Sequence, residues 1–123
     1  MRSRRAALAL VGILALPVVA GCSGAPRPLC KQAAALAEGH HLDGALSRYL
    51  DAQRAGEGTC ATDGQHDVQA AQAKVSLVLA SAASAERRGS LAEAEDLYVQ
   101  ALTQDVDNEQ ARTAIGRVRV EGP

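Results

Sequence analysis

Apolar residues recur every three or four positions through most of this chain, the spacing of helices with one buried face. Leu29, Ala33 and Leu36 form one stripe and predict a helix over about 29–39. Leu42, Ala45, Leu46, Tyr49, Leu50 and Ala52 predict a second over about 42–54. Val68, Ala71, Val75, Val78, Ala82 and Ala85 predict a longer third over about 67–88. Leu91, Ala94, Leu97, Tyr98, Ala101 and Leu102 mark a fourth over about 91–103. Ala111, Ile115 and Val118 mark a short last helix over about 108–118, with 119–123 as a frayed tail. No segment alternates apolar and polar residues as a half-buried strand would. The expected fold class is therefore all-α.

Boundary residues sharpen this reading. Ser90 with Glu93, and Asp107 with Gln110, have the spacing of capping boxes. His41 stands where the second helix needs a cap. Gly39, Gly56, Gly58 and Gly89 fall at helix ends. Between the second and third helices, residues 55–67 hold three glycines, Cys60, His66 and two aspartates, and are expected to form a loop.

The pattern repeats. At an offset of 49 residues, Leu42, Ala45, Tyr49 and Ala52 match Leu91, Ala94, Tyr98 and Ala101. The chain has two tyrosines, and they fall on equivalent positions. Self-similarity of this kind signals stacked helical units.

The stretch from Glu86 to Leu102 resembles a tetratricopeptide repeat (TPR). Gly89 fits that family's turn glycine, Ala94 and Ala101 its small packing residues, Tyr98 its aromatic and Ala82 the small residue of its first helix. The first copy departs from it, with His40 at the turn glycine. Val106 stands where the inter-unit proline is usual. The offset of 49 exceeds the usual 34, and the excess is assigned to an insertion over 55–67 and the start of the third helix. The resemblance covers 29–118. It implies antiparallel helix pairs, two repeats and a C-terminal capping helix, with Ala45, Tyr49, Ala52, Ala82, Gly89, Ala94, Tyr98 and Ala101 as packing residues. It also implies a partner groove lined by first helices, including Ala34, Glu38, Leu79, Ala83, Arg87 and Arg117. A clamp for a terminal carboxylate is not expected, because Ala34 and Ala83 stand where asparagine is wanted.

The N-terminus has a different character. Arg2, Arg4 and Arg5 precede an uncharged apolar run from Ala6 to Ala20, the layout of a secretion signal. Val19-Ala20-Gly21-Cys22 resembles the lipobox of bacterial lipoproteins. That implies a signal peptide over 1–21, diacylglyceryl transfer to Cys22, cleavage after Gly21 and a short linker over 22–28. The protein would then sit on the outer face of the cytoplasmic membrane, held by its lipid. The export route, general or twin-arginine, stays open.

Removing the three signal arginines leaves ten basic against fourteen acidic residues, a net charge of about −4. That balance argues against nucleic acid as a partner. With Cys22 lipidated, Cys30 and Cys60 are the two cysteines left in an exported chain, and both belong to the same end of such a helix stack. A disulfide between them is expected. Free thiols, or pairing with another chain, are the alternatives.

No catalytic or metal constellation emerges. His40, His41 and Asp43 lie on a turn without zinc-site spacing. His66 with Asp63 and Asp67 fits a solvated helix start. The run from Asp105 to Glu109 lacks the glycine and distal glutamate of a calcium loop. The expected function is that of a non-enzymatic scaffold without a cofactor, binding a protein or peptide partner and open to self-association. A structural envelope spacer and an accessory subunit of a membrane complex are the alternatives.

Overall fold

The computed structural model describes residues 26–122, all of them in helices and short connections. The described residues form five helices: α1 (Pro28–Glu38), α2 (Leu42–Arg54), α3 (Thr59–Arg87), α4 (Leu91–Gln104) and α5 (Glu109–Glu121). Among the described residues there is no strand, and no helix is long and apolar enough to cross a membrane. The signal segment 1–21 and Cys22 lie outside the described residues.

Each helix packs on the next in sequence, and α1 also touches α3. One continuous core runs from Cys30 to Val118. Its floor is alanine: Ala33, Ala45, Ala52, Ala61, Ala82, Ala85, Ala94, Ala101 and Ala111 are all fully buried. Side chains this small let helix backbones approach closely, so few large residues are needed to fill the space. Tyr98 and Val118 are the largest wholly enclosed side chains.

The third helix differs from its expected course. It begins at Thr59, eight residues ahead of Asp67, so most of the expected loop is helical. The connection from α2 shrinks to Ala55–Gly58. The physical reason lies in the buried face of this extra length, which is Ala61, Gly64 and Val68. Their spacing is helical, but two of the three carry almost no hydropathic signal. Gly64 is a packing residue: any Cβ there would be driven into the Tyr49 ring.

The caps also differ in detail. Ser90 makes no side-chain cap bond, and Glu93 pairs with Arg88 at 3.4 Å instead. The last helix is capped by Asn108, not Asp107: Asn108 Oδ1 accepts the Ala111 amide at 2.9 Å. Asp107 faces the imidazole of His41 at 2.7 Å, which takes both residues away from the caps expected of them. The last helix continues to Glu121, three residues beyond its expected end.

His40 and Gly89, 49 residues apart, close α1 and α3 in the same way. Both have positive φ, 60° and 77°, and the next amide reaches back five residues, from His41 to Leu36 and from Ser90 to Ala85. The turn at His40 is tied across the molecule by the Val106 amide, which donates to the His40 carbonyl at 3.1 Å.

Candidate functional site

Cys30 opens the first turn of α1 and Cys60 the first turn of α3, and the two are joined as a disulfide with Cα atoms 6.3 Å apart. The bond closes a loop of 30 residues around α2. Glu57 completes this corner. Its carboxylate accepts the amides of Leu29 at 3.1 Å and Cys30 at 2.8 Å. Those are donors that a helix start leaves unpaired, and the Arg27 side chain at the N-cap does not take them. A carboxylate also suits the positive end of the helix dipole. Cys30, Glu57 and Cys60 offer three ligand-type atoms within 4.8 Å of one another. With the sulfurs bonded to each other there is no thiolate for a metal, and the cluster is a structural corner.

From that corner α1 and α3 extend side by side, with a cleft of about 560 Å³ between them. Ala34 and Ala37 of α1 form one wall, and Val68 and Ala71 of α3 the other. Tyr49 of α2 lines the inner side and Glu38 and Asp67 the rim. Mostly apolar walls with a few placed polar groups, in a volume of this size, are the usual features of a ligand pocket.

Tyr49 is 8% exposed, and its hydroxyl has no hydrogen-bond partner among the described residues. Burial pushes its ionisation upward, and the Asp67 and Glu38 carboxylates push it in the same direction. Both carboxylates therefore bear on the phenol. Neither forms an ion pair among the described residues. Lys74 lines the same cleft two turns beyond Asp67.

Tyr98 has the opposite setting. Its hydroxyl donates to Glu86 at 2.8 Å, and Arg117 clasps the same carboxylate at 2.7 and 3.0 Å. Glu86 is held below the ordinary carboxylate range, first by Arg117 and then by Tyr98. Tyr98 is raised by burial and then by Glu86.

The expected groove residues are not brought together as one open face. Leu79 is buried in the core, because its position on α3 points inward with Val75 and Ala82. Ala83 is half-buried and Arg87 exposed. Arg117 is committed to Glu86 and is not a free cation. Ala34 and Glu38 do line the cleft. Sequence reasoning gave Tyr49 a packing role and Asp67 a helix-start role, and it passed over Gly64 and Ala71 as cleft residues. Gly64 recurs in helical register with Ala61 and Val68, which was the available signal.

A smaller recess of about 270 Å³ lies beside Asp43, Gln72, Leu79 and Asp105. Asp105 is buried there. One carboxylate oxygen meets Asn108 Nδ2 at 3.2 Å, and the other has no partner among the described residues.

No family profile, no curated protein and no solved structure matches this chain.

Proposed function

We propose that this chain is a lipid-anchored helical-repeat module of TPR type on the outer face of the cytoplasmic membrane, where it docks a protein or peptide partner. The observation that carries this reading is the cleft between α1 and α3, mostly apolar and unfilled by the side chains of the described residues. Several features support the repeat assignment. Gln65 meets Gln53 while Gln72 meets Asp43, so contacts climb α3 as they descend α2, as an antiparallel pair requires. His40 and Gly89 share one turn conformation at the repeat offset. Ala45, Ala52, Ala94 and Ala101 are all fully buried beside the two tyrosines. The short chain from Cys22 to Pro28, spanning roughly 20 Å when extended, would hold the disulfide corner near the lipid.

The test uses a photoreactive amino acid in intact cells, placed at Ala71 in the cleft or at Leu77, which is outside it and 70% exposed. A discrete protein adduct from position 71, missing from position 77, supports docking in the cleft. Identical adducts from both positions, or none from 71, sink it. The anchor is tested separately: Cys22→Ser should leave the membrane fraction, and a variant that stays there after signal cleavage rules the lipid out.

A further inference from the structure

The Cys30–Cys60 bond sets the first turns of α1 and α3 at one level. Eight residues on from each cysteine are Glu38 and Val68, so Glu38 stands across the cleft from Asp67 and Val68. Glu38 and Asp67 both line the cleft with Tyr49, and both carboxylates act on the Tyr49 phenol. This places two carboxylates on opposite rims of an apolar slot, beside a Tyr49 hydroxyl that has no hydrogen-bond partner among the described residues and is open to solvent. Among the described residues neither carboxylate is paired with a cation, although His40 and Lys74 also line the cleft. Lys74 is two turns further along α3, about 10 Å away along the axis, and forms no ion pair among the described residues.

We infer that the cleft recognises a basic amphipathic segment of another protein. A lysine or arginine of that segment bridges Glu38 and Asp67, and a neighbouring apolar side chain enters the slot against Tyr49, Val68 and Ala71. This rests on the docking reading above and adds the chemistry of the partner. Charge complementarity selects the occupant. Glu38 and Asp67 are exposed in the free protein; an acidic or neutral segment laid over them would take solvent from both carboxylates without answering their charge, which is costly. The Tyr49 hydroxyl can accept from an ammonium or guanidinium group while donating to a backbone carbonyl. Opposed charges on both rims also fix the register of the bound segment.

The test is selection of random dodecamer peptides displayed on phage, using the full disulfide-bonded chain in lipid nanodiscs. Expected winners carry a lysine or arginine next to apolar residues. Their binding is lost on Ala71→Trp, which fills the slot. It weakens about tenfold on Glu38→Gln or Asp67→Asn, the scale of one charge-assisted hydrogen bond. Asp96→Asn, on exposed α4 surface, leaves it unchanged. Asp67→Lys should reverse preference toward a peptide whose basic residue is replaced by glutamate, a result that misfolding cannot mimic. Winners without basic residues that still compete for the slot overturn the charge assignment and leave the docking reading intact. No selectable peptide overturns both.

Discussion

The Tyr98 hydroxyl lies 2.8 Å from the Glu86 carboxylate, while Tyr49, its counterpart 49 residues earlier, has no such partner among the described residues. Two positions that match in sequence thus have opposite fates. One phenol is sealed into a structural network and the other is left facing a cleft. The difference lies in what the neighbouring helices present: a glutamate on α3 and an arginine on α5 for Tyr98, a glycine on α3 for Tyr49.

The Glu86 network gives a pH signature. The folded carboxyl lies below its ordinary value of 4.5, because Arg117 and then Tyr98 hold the charged form. A depressed folded value means the contribution is present above the unfolded value and is lost as pH falls through the folded one. Glu86→Gln should therefore melt below the wild-type protein at neutral pH, with the gap closing as acid protonates the native carboxylate. Tyr98→Phe should cost about 1 kcal/mol through its lost hydrogen bond. Thermal melts across pH check both, and a gap that stays constant into acid would exclude ionisation of Glu86 as its source.

Gly64→Ala sets two effects against each other. Alanine is the better helix former by about 1 kcal/mol, yet its methyl would collide with the Tyr49 ring. Overpacking of this kind costs about 1–3 kcal/mol, so a net loss of stability is expected. Tyr49→Leu in the same background should recover it by removing the far end of the ring. A double-mutant cycle from denaturant titrations would show strong coupling between the two positions. Simple additivity would mean that the ring and the glycine do not meet.

Glu57 and the disulfide hold the same corner by different means and should separate experimentally. Replacing both Cys30 and Cys60 by serine removes a constraint on the unfolded chain worth roughly 3–4 kcal/mol for a loop of this length. Glu57→Ala leaves that constraint and removes a helix cap, costing about 1–2 kcal/mol. Its mark is local: faster hydrogen exchange at the Leu29 and Cys30 amides, with the core amides following global stability. Thiol labelling of the protein under non-reducing conditions should find neither Cys30 nor Cys60 free.

How far the fold could be read from the sequence depended on what carried each feature. The helices with leucine, valine or tyrosine on their buried faces were legible, and so was the pairing of Cys30 with Cys60. The first two turns of α3 were not, because small residues pack well without being hydrophobic. Glu57 capping α1 was invisible for another reason: donor and acceptor lie 27 and 28 residues apart and meet only after α2 has folded between them. The cleft itself is a space between helices, and side-chain spacing on one helix does not report it. Ala34 and Glu38, which the family resemblance puts on a groove face, both line the cleft.

Val106 provides the sharpest remaining test of how the two ends of the helix stack are joined. The repeat family that the sequence resembles favours proline there, but the Val106 amide donates to the His40 carbonyl at 3.1 Å, connecting the α4–α5 loop to the α1–α2 turn. Proline has no donor. Val106→Pro should break this tie, leave the His40 carbonyl short of a partner and destabilise by about 1–3 kcal/mol. His40 presents the reverse case. Its φ of 60° is a conformation that side chains other than glycine adopt at a cost. Glycine relieves that cost but gives up the imidazole and adds freedom to the unfolded chain. Because the His40 ring forms no hydrogen bond among the described residues, relief should prevail and His40→Gly should raise the melting temperature. The paired outcome, loss at Val106 and gain at His40, is what a turn fixed by backbone geometry requires. A stabilising Val106→Pro would show that the loop does not depend on the hydrogen bond to His40.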